Sequence, residues 1–226
     1  MTHFLQGTPL FKGLSDGNCE TIAQQLRLRQ YAAKSSIFHQ GDDGNCLYLV
    51  KSGQVRIFIN SSDGSETSVI LCGQPGQVFG ELAIIDGLSR SASAVALTKT
   101  AVYTIDRDDF RHLMGQYPLV ALNFMGILSR KVRYNTSQMD SLASMDIGQR
   151  LARKLLELGQ DYGTAVDGGV RINTPLTQGN LASLIVATRE SINKALKLFR
   201  HEGWIATQQG RIVILDTVAL REQAVG

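Results

Sequence analysis

The apolar pattern of this chain changes period once, and that change constrains the fold more than any other feature. Between Ser35 and Ile105 the apolar residues come in short runs: Cys46–Val50, Val55–Ile59, Thr67–Leu71 and Ala101–Ile105. Turn signals divide them, namely Gly41-Asp42-Asp43-Gly44, Ser52-Gly53, Ser61-Ser62-Asp63-Gly64 and Pro75-Gly76. Strands of roughly five residues with turns every ~8–12 predict a β-sandwich or barrel. After Asp106-Arg107-Asp108-Asp109 the period becomes helical. Ahead of the strands, Leu14, Ile22, Leu26 and Leu28 predict short helical pieces from Gly13 to about Gln30.

The helical half begins with a seam. Met125, Leu128, Val132, Asn135, Met139 and Leu142 follow one another at spacings of 3, 4, 3, 4 and 3. That is a heptad stripe with Asn135 as its polar exception. Two readings stay open at this point: a helix packed on its own domain, or a helix that pairs with a second copy in a parallel dimer. The seam ends near Asp146, a hinge candidate. Ile147, Leu151, Leu155 and Leu158 then mark a second helix, and Gly159 to Gly169 reads as a surface loop.

Composition excludes several classes. The 226 residues are 43% hydrophobic and 19% charged, with 22 Gly and 4 Pro, the balance of a folded chain with one large core or two smaller ones. The longest uncharged run in the middle, Leu113–Ser129, contains Gln116, Pro118 and Asn123, so no membrane span is expected. Met1 to Gly7 shows no basic region followed by an apolar stretch, so no secretory signal is expected. Cys19, Cys46 and Cys72 are odd in number and widely spaced, which fits reduced thiols in the cytoplasm and no zinc knuckle.

Charge is distributed unevenly. Residues 1–117 carry 10 Lys/Arg against 11 Asp/Glu, and residues 118–226 carry 13 against 9. The excess concentrates between Arg171 and Arg211, which suggests a polyanionic partner for the C-terminal part. There Thr177 is placed to cap a helix with Leu181, Leu184 and Ile185 on its core face. Asn180 stands where a complete capping box has Glu or Gln. Only Val186 and Ala187 precede Thr188, a second N-cap. On the helix from Arg189 to His201, Ile192, Ala195, Leu196 and Phe199 share one side. Glu190, Lys194 and Lys197 lie nearly opposite, flanked by Arg189, Asn193 and Arg200. Gly203 stops this helix, and Trp204–Ala206 with Arg211–Leu215, bridged by Gln208-Gln209-Gly210, predict a hairpin wing. Two helices joined by so short a turn predict a helix-turn-helix. The candidate DNA contacts are Thr177, Gln178, Thr188, Arg189, Glu190, Ser191, Asn193, Lys194, Lys197 and Arg211. A plain solvated face with a Glu190–Lys194 i, i+4 pair is the alternative.

The run Phe79-Gly80-Glu81-Leu82-Ala83-Ile84-Ile85-Asp86-Gly87-Leu88-Ser89-Arg90-Ser91-Ala92 resembles the phosphate-binding cassette of cyclic-nucleotide-binding domains. Followed by a heptad helix and a winged helix-turn-helix, it resembles the Crp–Fnr family of bacterial transcription regulators, from about Gly13 to Leu220. The resemblance implies an α+β chain: an N-terminal antiparallel β-roll (1–117), a dimerisation helix and hinge (118–146), and a C-terminal winged helix-turn-helix (147–226). It assigns ligand roles to Glu81, Arg90 and Ser91, and structural roles to Gly41, Gly53, Gly80 and Ala92. Arg90 offers a cyclic phosphodiester a fork of donors. Backbone N–H groups across Gly80, Leu82 and Ala83 add to it, and Glu81 accepts from a ribose hydroxyl. Asn135 and Thr136 align with the family's purine contacts. Cyclic AMP is the expected effector, with cyclic GMP second, and no metal or catalytic residue is expected.

The resemblance further implies a homodimer through 118–146, RNA polymerase as a partner, and double-stranded DNA with half-sites similar to TGTGA, read by Arg189, Glu190 and Lys194. It departs from the family at Val186, where glycine is common. The alternative within the same architecture is a regulator that senses another metabolite or none. A cupin-like metalloenzyme would need a convergent His/Glu cluster, which His3, His39, His112 and His201 do not supply.

Overall fold

The computed structural model describes residues 1–61 and 66–225. The chain forms two compact units, the first ending at Asn135 and the second starting at Thr136, with Glu66–Ser68 grouped with the second. The turn expected at Ser61–Gly64 falls, beyond Ser61, outside the described residues.

The first unit opens with α1 (Thr2–Gln6) and α2 (Asp16–Gln25), followed by β1 (Arg27–Tyr31), β2 (Ser36–Phe38), β3 (Cys46–Ser52), β4 (Val55–Asn60) and β5 (Glu66–Cys72). Next come β6 (Val78–Phe79), α3 (Glu81–Asp86), β7 (Ser93–Ala96), β8 (Thr100–Asp106), α4 (Arg107–Gln116) and α5 (Pro118–Ser144). The strands make two sheets ordered β1-β8-β3-β6 and β2-β7-β4-β5. The pairs β1–β8, β3–β8, β3–β6, β2–β7 and β4–β7 are antiparallel.

Period-two alternation explains why β3 carries the unbroken apolar run Cys46–Val50 and β8 the run Ala101–Tyr103 with Ile105. Leu47, Leu49, Tyr103 and Ile105 point into a core shared with Phe110, Leu113, Val120 and Phe124 of the helices. Cys46, Tyr48, Val50 and Val102 point the other way, into a second core with Phe38, Val55, Ile57 and Phe79. A sheet covered on both faces needs both sets of side chains apolar.

β1 corrects the expectation of helical pieces as far as Gln30. Only Asp16–Gln25 is helical there, with Ser15 capping α2 by accepting from the Asn18 N–H. Arg27–Tyr31 is an edge strand on β8, and Leu28 is 46% exposed rather than core. Its residues are exposed almost throughout, so no burial pattern marks it.

In the second unit α6 (Ile147–Tyr162) is followed by β9 (Gly163–Val166), β10 (Gly169–Ile172), α7 (Gln178–Leu184), α8 (Arg189–His201), β11 (Ile205–Gln208), β12 (Arg211–Ile214) and α9 (Thr217–Val225). The sheet order is β11-β12-β10-β9. Gly159–Gly169 is therefore not a surface loop. α6 runs on to Tyr162, and β9 and β10 form an antiparallel hairpin whose Gly169 pairs with Val166. The Asp146 side chain caps α6 by accepting from the Gln149 N–H, and Gln149 answers at the Asp146 N–H. Leu151, Leu155 and Leu158 are buried as their spacing requires. The β11–β12 turn is Gln209-Gly210, both at positive φ, while Gln208 belongs to the strand.

Candidate functional site

Arg90 is the structural centre of the first unit's cup. It is 4% exposed, a rare position for a guanidinium without dedicated partners. Its Nη1 donates to the Gly80 carbonyl at 2.7 Å and its Nη2 to the Cys46 carbonyl at 2.8 Å. The group lies over the Phe38 ring at 4.5 Å, and Phe38, Tyr48 and Phe79 pack against one another beneath it. Backbone bonds between Arg90 and Asp42, and between Gly41 and Arg90, fix the chain on either side. Glycine is required twice here. A Cβ on Gly80, at φ 74°, would stand 2.7 Å from Arg90 Nη1, and one on Gly44 would stand 2.1 Å from the Ala83 Cβ. The Arg90 Nε is buried with no hydrogen-bond partner among the described residues.

That guanidinium borders a cavity of about 410 Å³, a common size for a small-molecule site. Gly80, Glu81, Leu82, Ala83, Arg90 and Ser91 line it from the cassette, and Asn135 lines it from α5. Thr136, the next residue along, is exposed and does not line it. Sequence reasoning missed Lys131 and Tyr134, which do. Lys131 Nζ pairs with Glu81 Oε2 at 2.9 Å and donates to the Val78 carbonyl at 2.8 Å. Its spacing of four before Asn135 and three after Leu128 was the available signal, because those residues share a helix face. The cavity thus holds two cations and one carboxylate, enough to receive a phosphodiester at one end and a hydroxyl at the other.

Arg107 braces the cassette from outside, its Nη2 donating to the Gly44 and Ala83 carbonyls, each at 2.7 Å. All three cysteines are buried and free, and burial pushes the Cys72 thiol up to about 12, so it stays protonated. The four histidines are exposed, and no group of metal-ligating side chains is found among the described residues.

The second unit's polar face is built differently. Thr177 caps α7 by accepting from the Asn180 N–H, and Asn180 Oδ1 accepts from the Thr177 N–H. The capping box expected to be incomplete is therefore closed by asparagine, whose amide oxygen reaches the same backbone donor. Thr188 caps α8 through the Ser191 N–H. On α8, Ile192, Leu196 and Phe199 are buried, while Arg189, Glu190, Lys194, Lys197 and Arg200 are exposed and Asn193 and Ser191 half-buried. Thr177 and Thr188 are exposed at the two helix starts, and Gln178 and Arg211 are half-buried. Gly203, at φ 74°, ends α8, with the Trp204 N–H reaching back to the Phe199 carbonyl. Val186 sits in the turn between α7 and α8 at φ 53°, which costs a β-branched residue about 1–3 kcal/mol.

A buried arginine in a glycine-lined cup and a capped, basic helix behind a tight turn are two recognisable modules, and each matches a known family. The family model of the cyclic nucleotide-binding domain matches residues 28–117, and that of the Crp-like helix-turn-helix domain matches 149–223. The CRP-like cAMP-activated global transcriptional regulator of Mycobacterium tuberculosis is 32% identical over 224 residues, 99% of this chain and 100% of that protein. This chain belongs to the Crp–Fnr family.

Another Crp–Fnr relative, the cyclic AMP receptor protein of Thermus thermophilus, is 33% identical over 222 residues, 98% of this chain and 99% of its own. Among solved structures, a CRP-family transcriptional regulator of Thermus thermophilus superposes with TM-score 0.73 at 26% identity, covering 88% of this chain and 97% of that one. The c-di-GMP responsive regulator CLP of Xanthomonas campestris shares the Crp–Fnr fold, with TM-score 0.79 at 22% identity over 90% of this chain and all of that one. The protein is a Crp–Fnr transcription regulator with a cyclic-nucleotide-binding domain and a DNA-binding helix-turn-helix, and its relatives are regulators rather than enzymes. No helix among the described residues is long and apolar enough to cross a membrane.

Proposed function

We propose that this protein is a homodimeric, cyclic AMP-responsive regulator that binds a palindrome with TGTGA-like half-sites. The observation that carries the ligand is Arg90, a guanidinium sunk in the cup, held by two backbone carbonyls and lining the cavity. A cyclic phosphodiester pairs with that guanidinium, with Ser91 adding a hydroxyl and the Gly80–Ala83 backbone its N–H groups. Glu81 accepts from the ribose, and Lys131 holds its carboxylate in place until it does. Asn135 addresses the purine edge, and Thr136, which does not line its own chain's cavity, reaches the nucleotide held by the partner subunit.

The dimer rests on the α5 stripe. Met125, Val132, Met139 and Leu142 are 56%, 64%, 70% and 44% exposed in a single chain, apolar positions of a stripe interrupted by Asn135 that a second copy would cover. Because Asn135 lies on that seam and lines the cavity, nucleotide occupancy biases how two α5 helices pair. On DNA, Arg189 reads guanine and Glu190 cytosine, with Lys194, Asn193 and Thr188 beside them. Thr177, Gln178, Ser191, Lys197 and Arg211 meet the backbone. RNA polymerase is the downstream partner and the cytoplasm the setting.

The test is a titration of labelled palindromic duplex at fixed salt, with and without cyclic AMP, alongside calorimetry with cyclic AMP and cyclic GMP. Tighter duplex binding with cyclic AMP alone supports the reading, and heat from cyclic GMP alone replaces the effector. Equal duplex affinity with and without either nucleotide rejects nucleotide control. Met139→Lys places a charge on the seam and is expected to shift light scattering from dimer to monomer.

A further inference from the structure

The turn of the helix-turn-helix carries Val186 in a backbone conformation that suits glycine, and a cation from another helix holds it there. At the end of α7 the Ala187 N–H bonds back to the Ala182 carbonyl at 2.9 Å, the wrap that ordinarily has glycine at the position Val186 occupies. That wrap leaves the Ile185 and Val186 carbonyls without helical donors. Arg150 of α6 supplies them: its Nη1 donates to the Ile185 carbonyl at 2.7 Å and reaches the Val186 carbonyl at 3.4 Å. Its Nε donates to the Asp146 carbonyl at 3.4 Å, so the same side chain is anchored in the first turn of α6. One turn further on, Arg153 bonds the Ser141 hydroxyl at 2.6 Å and the Ser137 hydroxyl, both on the last turns of α5.

We infer that Arg150 is a positioning residue for sequence-specific DNA binding, fixing the angle of α8 by clamping the strained Val186 turn. The inference rests on the DNA-binding reading above and adds to it the side chain that aims the recognition helix. The physical argument is direct. α8 starts only three residues after Val186, so the dihedrals of Ile185, Val186 and Ala187 set its direction. A β-branched residue at φ 53° gains by relaxing to negative φ. Relaxation would turn both carbonyls away from Arg150 and swing the N-terminal end of α8, where Arg189, Glu190 and Asn193 stand. The guanidinium bonds both carbonyls only in the strained geometry, and its charge also suits the carbonyl end of α7. Glycine at 186 would hold the same geometry unaided.

The experiment is a double-mutant cycle in the full-length protein with Arg150→Met, Val186→Gly and both together. The probes are the duplex that the wild-type protein enriches from a randomised pool in saturating cyclic AMP, and a scrambled duplex of equal length. Arg150→Met is expected to weaken binding to the enriched duplex at least tenfold and to the scrambled one less than threefold, because phosphate contacts tolerate a tilted helix. Adding Val186→Gly is expected to restore most of the loss, a rescue that a merely structural arginine would not show. Arg150→Lys, with a single point donor, is expected to fall between wild type and Met. Equal losses on both duplexes, additive effects in the double variant, or wild-type affinity in Arg150→Met would each overturn the inference. If Arg150→Met fails to fold, Arg150→Lys with and without Val186→Gly carries the same cycle. A wild-type protein that enriches no duplex overturns the DNA-binding reading itself, a result distinct from all of these.

Discussion

In the proposed reading the cup around Arg90 and the outer face of α8 both take anionic partners, yet they present their charge in opposite ways. Arg90 is 4% exposed, bonded to two backbone carbonyls and stacked on aromatic rings, whereas Arg189, Glu190 and Lys194 stand in solvent. A single phosphodiester offers few contacts, so its cation must be desolvated and fixed before the ligand arrives. A duplex offers a long row of phosphates and bases, and exposed side chains that settle on contact suffice. The difference teaches where mutation will be felt. Removing a cup residue disturbs folding and binding together, and removing a residue of the exposed α8 face disturbs only DNA binding.

The largest effect should therefore come from Arg90→Ala. Charge-assisted hydrogen bonds are worth about 1.5–3 kcal/mol each, so losing a two-pronged contact lowers cyclic AMP affinity by roughly 100-fold or more. The Gly80 and Cys46 carbonyls also lose their donor, so the thermal midpoint should fall in the same variant. Calorimetry reads the first and calorimetric unfolding the second. Unchanged nucleotide affinity in a folded Arg90→Ala protein would remove the cup from the mechanism.

On the other side of the comparison, Arg189→Ala should cost about 1–3 kcal/mol against the preferred base pair. Nucleotide affinity and unfolding midpoint should stay as they are, since the side chain is exposed. Competition among duplexes that differ at one position measures the discrimination. A loss spread evenly over all base pairs would turn Arg189 from a reader into a phosphate contact.

How far the sequence exposed this contrast depended on burial. β3 and β8 were legible because both of their faces are covered and each carries an apolar run, Cys46–Val50 and Ala101–Tyr103 with Ile105, and α8 because one stripe is buried and the other is not. β1 was not, because an edge strand reading Arg-Leu-Arg-Gln-Tyr has no inward face to mark it. The β9–β10 hairpin hid for a related reason: its short strands lie in a stretch with four glycines, Gly159, Gly163, Gly168 and Gly169, and look like loop. Within the site, Arg90 and Glu81 were legible through the cassette. Lys131 was not, because it lies off the heptad seam and a helical lysine carries no motif. The turn at Val186 was legible as a place where glycine was expected, and the structure shows the positive φ that expectation implied.

A smaller effect sharpens the comparison from inside the second unit. Val186→Gly removes a Cβ held at positive φ, which recovers about 1–3 kcal/mol of strain, and glycine's added freedom in the unfolded chain takes back roughly 0.5–1 kcal/mol. Denaturant unfolding of the full chain should show a net gain of about 1 kcal/mol. A net loss would mean that the left-handed turn is not strained in solution.

A variant without any expected effect on folding separates the two charge strategies most cleanly. Lys197 is exposed on the polar side of α8, so Lys197→Ala should leave folding and nucleotide affinity alone. If it meets one phosphate in each half-site, its removal lowers the slope of log K against log salt by about 0.9 for each phosphate no longer neutralised. At about 0.15 M salt that is roughly fivefold in affinity per phosphate, the same for every duplex sequence. The cup behaves otherwise: cyclic AMP brings one phosphate to a cation already desolvated, so its affinity should vary little over the same salt range. Parallel salt series on duplex and nucleotide binding measure both. A steep salt dependence for cyclic AMP would show the cup open to solvent and erase the contrast between a buried charge and a surface one.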